Sequence, residues 1–127
     1  LDGYTASNAS ASIPISNGTV NSNLNATMHN GLKVTVINIG DWNMDTTSSV
    51  AVSHGLTFAN IRAVKATIRN DLDTIYSDLS SYDINSTPSI YAESTTVTLV
   101  RLDTGWYDKT THDSTSFNRG WITIWYQ

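Results

Sequence analysis

From residue 31 onward, hydrophobic and polar positions alternate in short runs. "LKVTVINI" (32–39) is β-branched and alternating, so it predicts a strand. "SSVAVSH" (48–54) puts Val50, Val52 and His54 on one face. "IRAVKATIR" (61–69) sets Val64, Ala66 and Ile68 against Lys65, Thr67 and Arg69, the pattern of a half-buried strand. "TIYSDLS" (74–80), "STTVTLVRL" (94–102) and "GWITIWYQ" (120–127) complete the set. Ile61, Val64 and Ile68 also fit a helical spacing, but the Thr and β-branched content favours strands. Short strands separated by Asn, Asp and Gly predict an all-β fold, an antiparallel sandwich. The final strand carries large side chains on both faces: Trp121, Thr123 and Trp125 on one, Ile122, Ile124 and Tyr126 on the other. A strand of that kind is buried on both sides, or buried on one side and in a subunit contact on the other, and its place at a chain terminus favours the second.

Residues 1–31 read differently. They are small and polar, with too few large side chains to form a core, so they must pack on something else or on copies of themselves. "LDGYTAS" at the start is echoed by "HNGLKVT" at 29–35, with Asp2-Gly3 answered by Asn30-Gly31. Both dipeptides favour tight turns. The expected division is therefore a connector over 1–31 and a sandwich domain over 32–127. The start at Leu1 suggests a C-terminal piece of a longer chain.

Composition narrows the function. Charged residues are only 14% of the 127, and Ser, Thr and Asn fill the polar share, giving a surface of neutral hydrogen-bonding groups. The net charge of -4 and the scattered seven basic residues argue against nucleic acid. No apolar run is long enough for a membrane span, so no membrane insertion is expected. Absent cysteine excludes disulfides and thiolate-bound zinc. Four Asn-X-Ser/Thr sequons, at Asn8, Asn17, Asn25 and Asn85, are read as chance in an Asn-, Ser- and Thr-rich chain.

These residues carry a resemblance. "LDGYTAS", then "IPISNGTVNSNLNAT" and "NGLK", resembles the repeat of bacteriophage tail fibres. "IGDWNMDTTSSVAVSHGL", "IRAVKATIRND" and "RGWITIWYQ" look like the C-terminal domain of phage fibre or virion-spike proteins. The resemblance implies a homotrimer on the virion, outside the cell: a short extended fibre-shaft segment followed by a head domain that binds a host cell-surface receptor. A looser likeness joins "VSHGL", the strand end at Arg69, Asn70 and Asp71, and the Trp-rich last strand to H-type lectin sandwiches. It implies a glycan receptor held near subunit edges.

Sugar binding needs an aromatic face for the pyranose ring and planar polar groups for its hydroxyls. "DTGWYDKTTHDSTSFNRGW" (103–121) interleaves Trp106, Tyr107, Phe117 and Trp121 with Asp103, Asp108, Lys109, His112, Asp113, Asn118 and Arg119. It reads as a long loop between two strands, the place where binding residues concentrate. The expected ligand-binding residues are Trp106, Tyr107, Asp108, His112, Asp113, Asn118 and Arg119. Trp42 and Asn43, from the polar turn "GDWNMD" (40–45), join them. The plainer alternative makes Trp106 and Trp121 packing residues and Trp42 a plug at the end of the sandwich.

No cofactor and no metal is expected. His29, His54 and His112 are far apart, and "NDLDTIYSD" (70–78) lacks the sixth-position Gly and closing Glu of an EF-hand. The chain is not expected to be an enzyme, since no nucleophile motif or phosphate loop occurs and Glu93 is the only Glu. The main alternative to a receptor-binding tip is a structural, trimerisation or decorative head-fibre domain. A polysaccharide depolymerase stands third.

Overall fold

A computed structural model describes residues 31–79 and 90–127. The expected shaft segment up to Asn30, the four sequons and His29 lie outside the described residues. Seven strands follow in chain order: β1 (Lys33–Asn38), β2 (Ser49–Ser53), β3 (Ile61–Arg69), β4 (Tyr76–Asp78), β5 (Ile90–Ala92), β6 (Thr96–Val100) and β7 (Gly120–Tyr126). Two single 3-10 turns, Phe58–Asn60 and Thr110–His112, are the only helical pieces among the described residues. The helical alternative for 61–69 is overturned: β3 is one nine-residue strand.

The strands form two antiparallel sheets, of order β1-β7-β3-β4 and β2-β6-β5. In the larger sheet Val64 lies opposite Ile124 and Ala66 opposite Ile122. In the smaller one Val50 and Ile90 flank Leu99, and Val52 and Ala92 flank Val97. Ala66, Ile68, Ile122 and Ile124 from one sheet and Val97 and Leu99 from the other are fully buried in a single cluster. The alternation in the sequence thus sends one face of each sheet inward, and the two faces share the core of a sandwich. Strand β5 was not anticipated. Its three residues are too short for periodicity to register, and it exists because Ile90 and Ala92 cover β6.

Trp42 and Met44 are buried in the same core, with the Trp42 indole N–H donating to the Thr47 carbonyl at 2.9 Å. His54 follows β2 and is also internal. Its Nδ1 accepts from the Leu56 amide at 3.0 Å, so Nε2 carries the proton that goes to the Glu93 carbonyl at 2.9 Å.

The outer face of the four-stranded sheet sets large apolar groups on β1 and β7 beside the polar side chains Lys65, Thr67 and Arg69 of β3. Trp121 and Trp125 lie opposite the core side of β7, half-buried among their neighbours, while Val34 and Val36 on β1 are 48% and 57% exposed. Tyr76 meets Trp121 at 5.7 Å between ring centres, and the Arg69 guanidinium lies 4.1 Å from the Phe117 ring centre. The two-faced character read from "WITIWY" is present, and no second sheet among the described residues covers the outer side.

Candidate functional site

The connection from β6 to β7, residues 101–119, is anchored at each end by a buried arginine. Arg101 donates from Nε to the Met44 carbonyl and pairs through its two terminal nitrogens with Asp103 (2.6 Å) and Asp108 (3.2 Å). Arg119 is completely buried. It donates to the carbonyls of Trp42 (3.0 Å), Arg69 (2.9 Å) and Ser114 (3.2 Å) and pairs with Asp71 at 2.9 Å. Buried charges persist only when every donor is used. Both arginines are paired with a carboxylate and hydrogen-bonded to backbone carbonyls, so the loop is fixed to the sandwich rather than draped over it.

Asp71 belongs to the turn after β3 and stitches that turn to the loop. Its carboxylate accepts the amides of Asp113 (3.0 Å) and Ser114 (3.2 Å), and its own amide donates to the Thr111 carbonyl at 2.9 Å. Burial would raise its pKa. The Arg119 guanidinium and the Ser114 and Asp113 amides outweigh burial and hold the carboxyl below its ordinary value. Asp113, hydrogen-bonded to the Asp71 carboxylate, is raised instead. Asn70 shapes the turn itself: its Oδ1 accepts the amides of Thr74 (2.8 Å) and Ile75 (3.0 Å).

Between that turn and the loop lies a cleft of about 160 Å³, lined by Asn70, Ile75, Trp106, Lys109, Thr111 and His112. Trp106 is 56% exposed at its edge, with the Lys109 amine 5.3 Å from the indole ring centre. The backbone before it is strained. Thr104 sits at φ 59°, costly for a β-branched residue, and is held there because its amide donates to Asp108 Oδ2 at 2.7 Å. The Arg101–Asp108–Thr104 chain ties together the backbone on either side of Trp106.

His112 is the buried polar group in the cleft wall. Its Nδ1 lies 3.0 Å from the Thr111 hydroxyl, and Tyr107 meets its ring edge-on at 5.2 Å. Among the described residues, Nε2 has no hydrogen-bond partner. His112 as a whole is 2% exposed, and a buried polar atom without a partner among the described residues calls for an explanation. Burial, with the Arg119 charge second, pushes the His112 pKa below its usual 6.5, while Asp71 partly opposes this.

That shift has a consequence for stability. As pH falls through about 6.5 the unfolded chain takes a proton that folded His112 refuses, so the unfolded state binds more protons and is favoured. The contribution is complete above 6.5 and is lost progressively below. The urea midpoint is expected to be lower at pH 5 than at pH 7, and His112→Gln should flatten that slope. An unchanged slope in the variant would place the titration elsewhere.

The nine residues expected from sequence fall into distinct groups. Trp106 and His112 share the cleft. Tyr107 stands behind it, packed on the core, with its hydroxyl 2.8 Å from Ser77 Oγ. Asp108 and Asp113 act inside the loop, on Arg101 and against Asp71. Asn118 accepts the Gly40 amide at 2.8 Å and Arg119 is internal. Trp42 is buried in the core, and Asn43 caps its turn by accepting the Asp45 and Thr46 amides. The structure does not bring Trp42 and Asn43 to the cleft. Ile75, Thr111, Asn70 and Lys109 were not among the nine. Lys109, three residues beyond Trp106 in the aromatic loop, and Asn70, at the end of the third strand, carried a signal in the sequence; Ile75 and Thr111 did not.

No family model, no curated protein and no solved structure matches this chain.

Proposed function

We propose that this is the tip domain of a phage fibre, acting as a homotrimer outside the cell, and that the cleft at Trp106 binds a host-surface glycan. The observation that carries the reading is the pairing in one small cleft of the exposed Trp106 with the buried His112, whose Nε2 has no hydrogen-bond partner among the described residues. The indole offers a flat apolar face to a sugar ring, and Nε2 offers a hydrogen bond to a hydroxyl. Rigidity supports it too, because the loop that presents Trp106 is tied down by two buried arginines. The volume corresponds to about five water molecules, room for one ring rather than a chain in a groove. Three weak sites per fibre would gain affinity by simultaneous engagement.

Trp106→Ala is expected to leave the urea midpoint nearly unchanged, since the ring is largely exposed, and to abolish binding of labelled protein to host cells. Wild-type levels of cell binding by the variant would refute the assignment of the site.

A second reading, a trimerisation or decorative domain without a ligand, draws on the outer face of the larger sheet. Trp121, Trp125, Val34 and Val36 there suit association of copies of the chain. Light scattering separates the components: a mass about three times the 13.9 kDa chain is expected. Trimers that bind no host surface would favour this second reading. Catalysis is not part of the proposal. Asp71 and Asp113 share a hydrogen bond, closer than the roughly 5–9.5 Å at which glycosidase carboxylates work.

A further inference from the structure

Three cations lie in the loop 101–119, and their fates differ. Arg101 is buried and paired with Asp103 and Asp108. Arg119 is buried and paired with Asp71. Lys109 is exposed, and among the described residues no carboxylate lies within ion-pair distance of it. Its amine is held instead over the Trp106 ring, at the mouth of the cleft.

The acids nearby are already engaged. Asp103 and Asp108 are taken by Arg101, Asp71 by Arg119, and Asp113 is hydrogen-bonded to Asp71. Among the described residues, no carboxylate lines the cleft. In a chain whose net charge is -4, the charge that faces the cleft is Lys109, a cation without a carboxylate among the described residues. A neutral sugar would leave that ammonium to water. A sugar carrying a carboxylate would pair with it while its ring lies against the indole and a hydroxyl reaches His112 Nε2. We infer that the cleft selects an acidic sugar, a uronate-type residue, with Lys109 pairing with its carboxylate. This rests on the glycan-binding reading and sharpens it.

A matched pair of probes isolates the charge: a tetramer of galacturonic acid and its fully methyl-esterified form. Binding of each to the full chain is measured by calorimetry, with the Trp106 indole resonance followed by NMR. The acid form is expected to bind roughly three- to fivefold more tightly, the effect of one partly exposed ion pair. The difference should shrink at high salt, disappear in Lys109→Gln and survive in Lys109→Arg. The substitution is safe for the fold, because the bond from the His112 amide goes to the Lys109 backbone carbonyl.

Equal affinity for acid and ester, with the Trp106 resonance moving in both, would overturn the acidic-sugar inference and leave the glycan reading standing. A preference that survives Lys109→Gln would overturn it by placing the cation elsewhere. Failure of both probes to move the Trp106 resonance would also overturn it. The glycan reading itself falls only if the Trp106→Ala protein still binds host cells.

Discussion

Gly120→Ala is expected to prevent folding. Gly120 opens β7, the strand between β1 and β3, and lies opposite Ile68. Its φ of 157° is a conformation that side chains rarely adopt. A Cβ there would run into the Thr67 carbonyl oxygen, with Thr67 C at 3.0 Å and Ile68 Cα at 3.2 Å. All three are backbone atoms of the neighbouring strand, so no side chain can swing aside. Relief requires β3 and β7 to part where Ile68 and Ile122 are fully buried. The same backbone groups hold the loop: the Gly120 carbonyl accepts the Ile39 amide at 2.9 Å, and the Arg119 carbonyl accepts the Arg69 amide at 2.9 Å. The loss should reach the roughly 4–5 kcal/mol that marks exceptional substitutions, a large part of a small domain's stability. Insoluble protein, or a urea midpoint near zero, is the expected result. A soluble variant with a midpoint close to wild type would mean that the two strands are not this close.

How much of this was legible in the sequence depends on the range of the interaction. β1, β2, β3, β6 and β7 were readable because alternation is local and the core is built by the alternate residues themselves. Val64, Ala66 and Ile68 point inward, as do Ile122 and Ile124. The same alternation announced the apolar outer face of β7 through Trp121 and Trp125. β4 was placed two residues early, since Thr74 and Ile75 are committed to the Asn70 turn rather than to pairing with β3. β5 was illegible for want of length.

The site was legible only as a neighbourhood. Its loop stood out by length and by interleaved aromatic and polar residues, and Trp106 and His112 do meet in a cleft there. Composition could not show which polar residues face inward. Arg119, Asp108 and Asn118 have the chemistry of sugar contacts, yet each is occupied by protein groups. The opposite wall of the cleft comes from Asn70 and Ile75, more than thirty residues earlier in the chain. That wall exists because Asp71 binds the amides of Asp113 and Ser114, a tertiary contact with no periodicity to betray it. The polar residues that looked functional mostly build the frame, while Lys109 is held by no carboxylate among the described residues.

The frame can be tested through its central ion. Arg119→Leu is expected to destabilise the domain by about 3–5 kcal/mol, the usual result of removing one member of a buried pair. The substitution keeps apolar bulk but strands the Asp71 carboxylate and the carbonyls of Trp42, Arg69 and Ser114, none of which has another route to that charge. For a domain of this size the melting temperature should fall by more than about 10 °C. Asp71→Asn is the informative companion. An amide can still accept from Arg119 but presents an N–H toward the Asp113 and Ser114 amides, so a smaller loss is expected. Combined with Arg119→Leu it should restore part of the stability, because the unpaired carboxylate is then gone. Additive losses would show that Arg119 and Asp71 stabilise the domain separately. Coupling of about 1 kcal/mol or more would identify this pair as the clamp between the turn and the loop, and so as the reason that Trp106 and His112 face the same cleft.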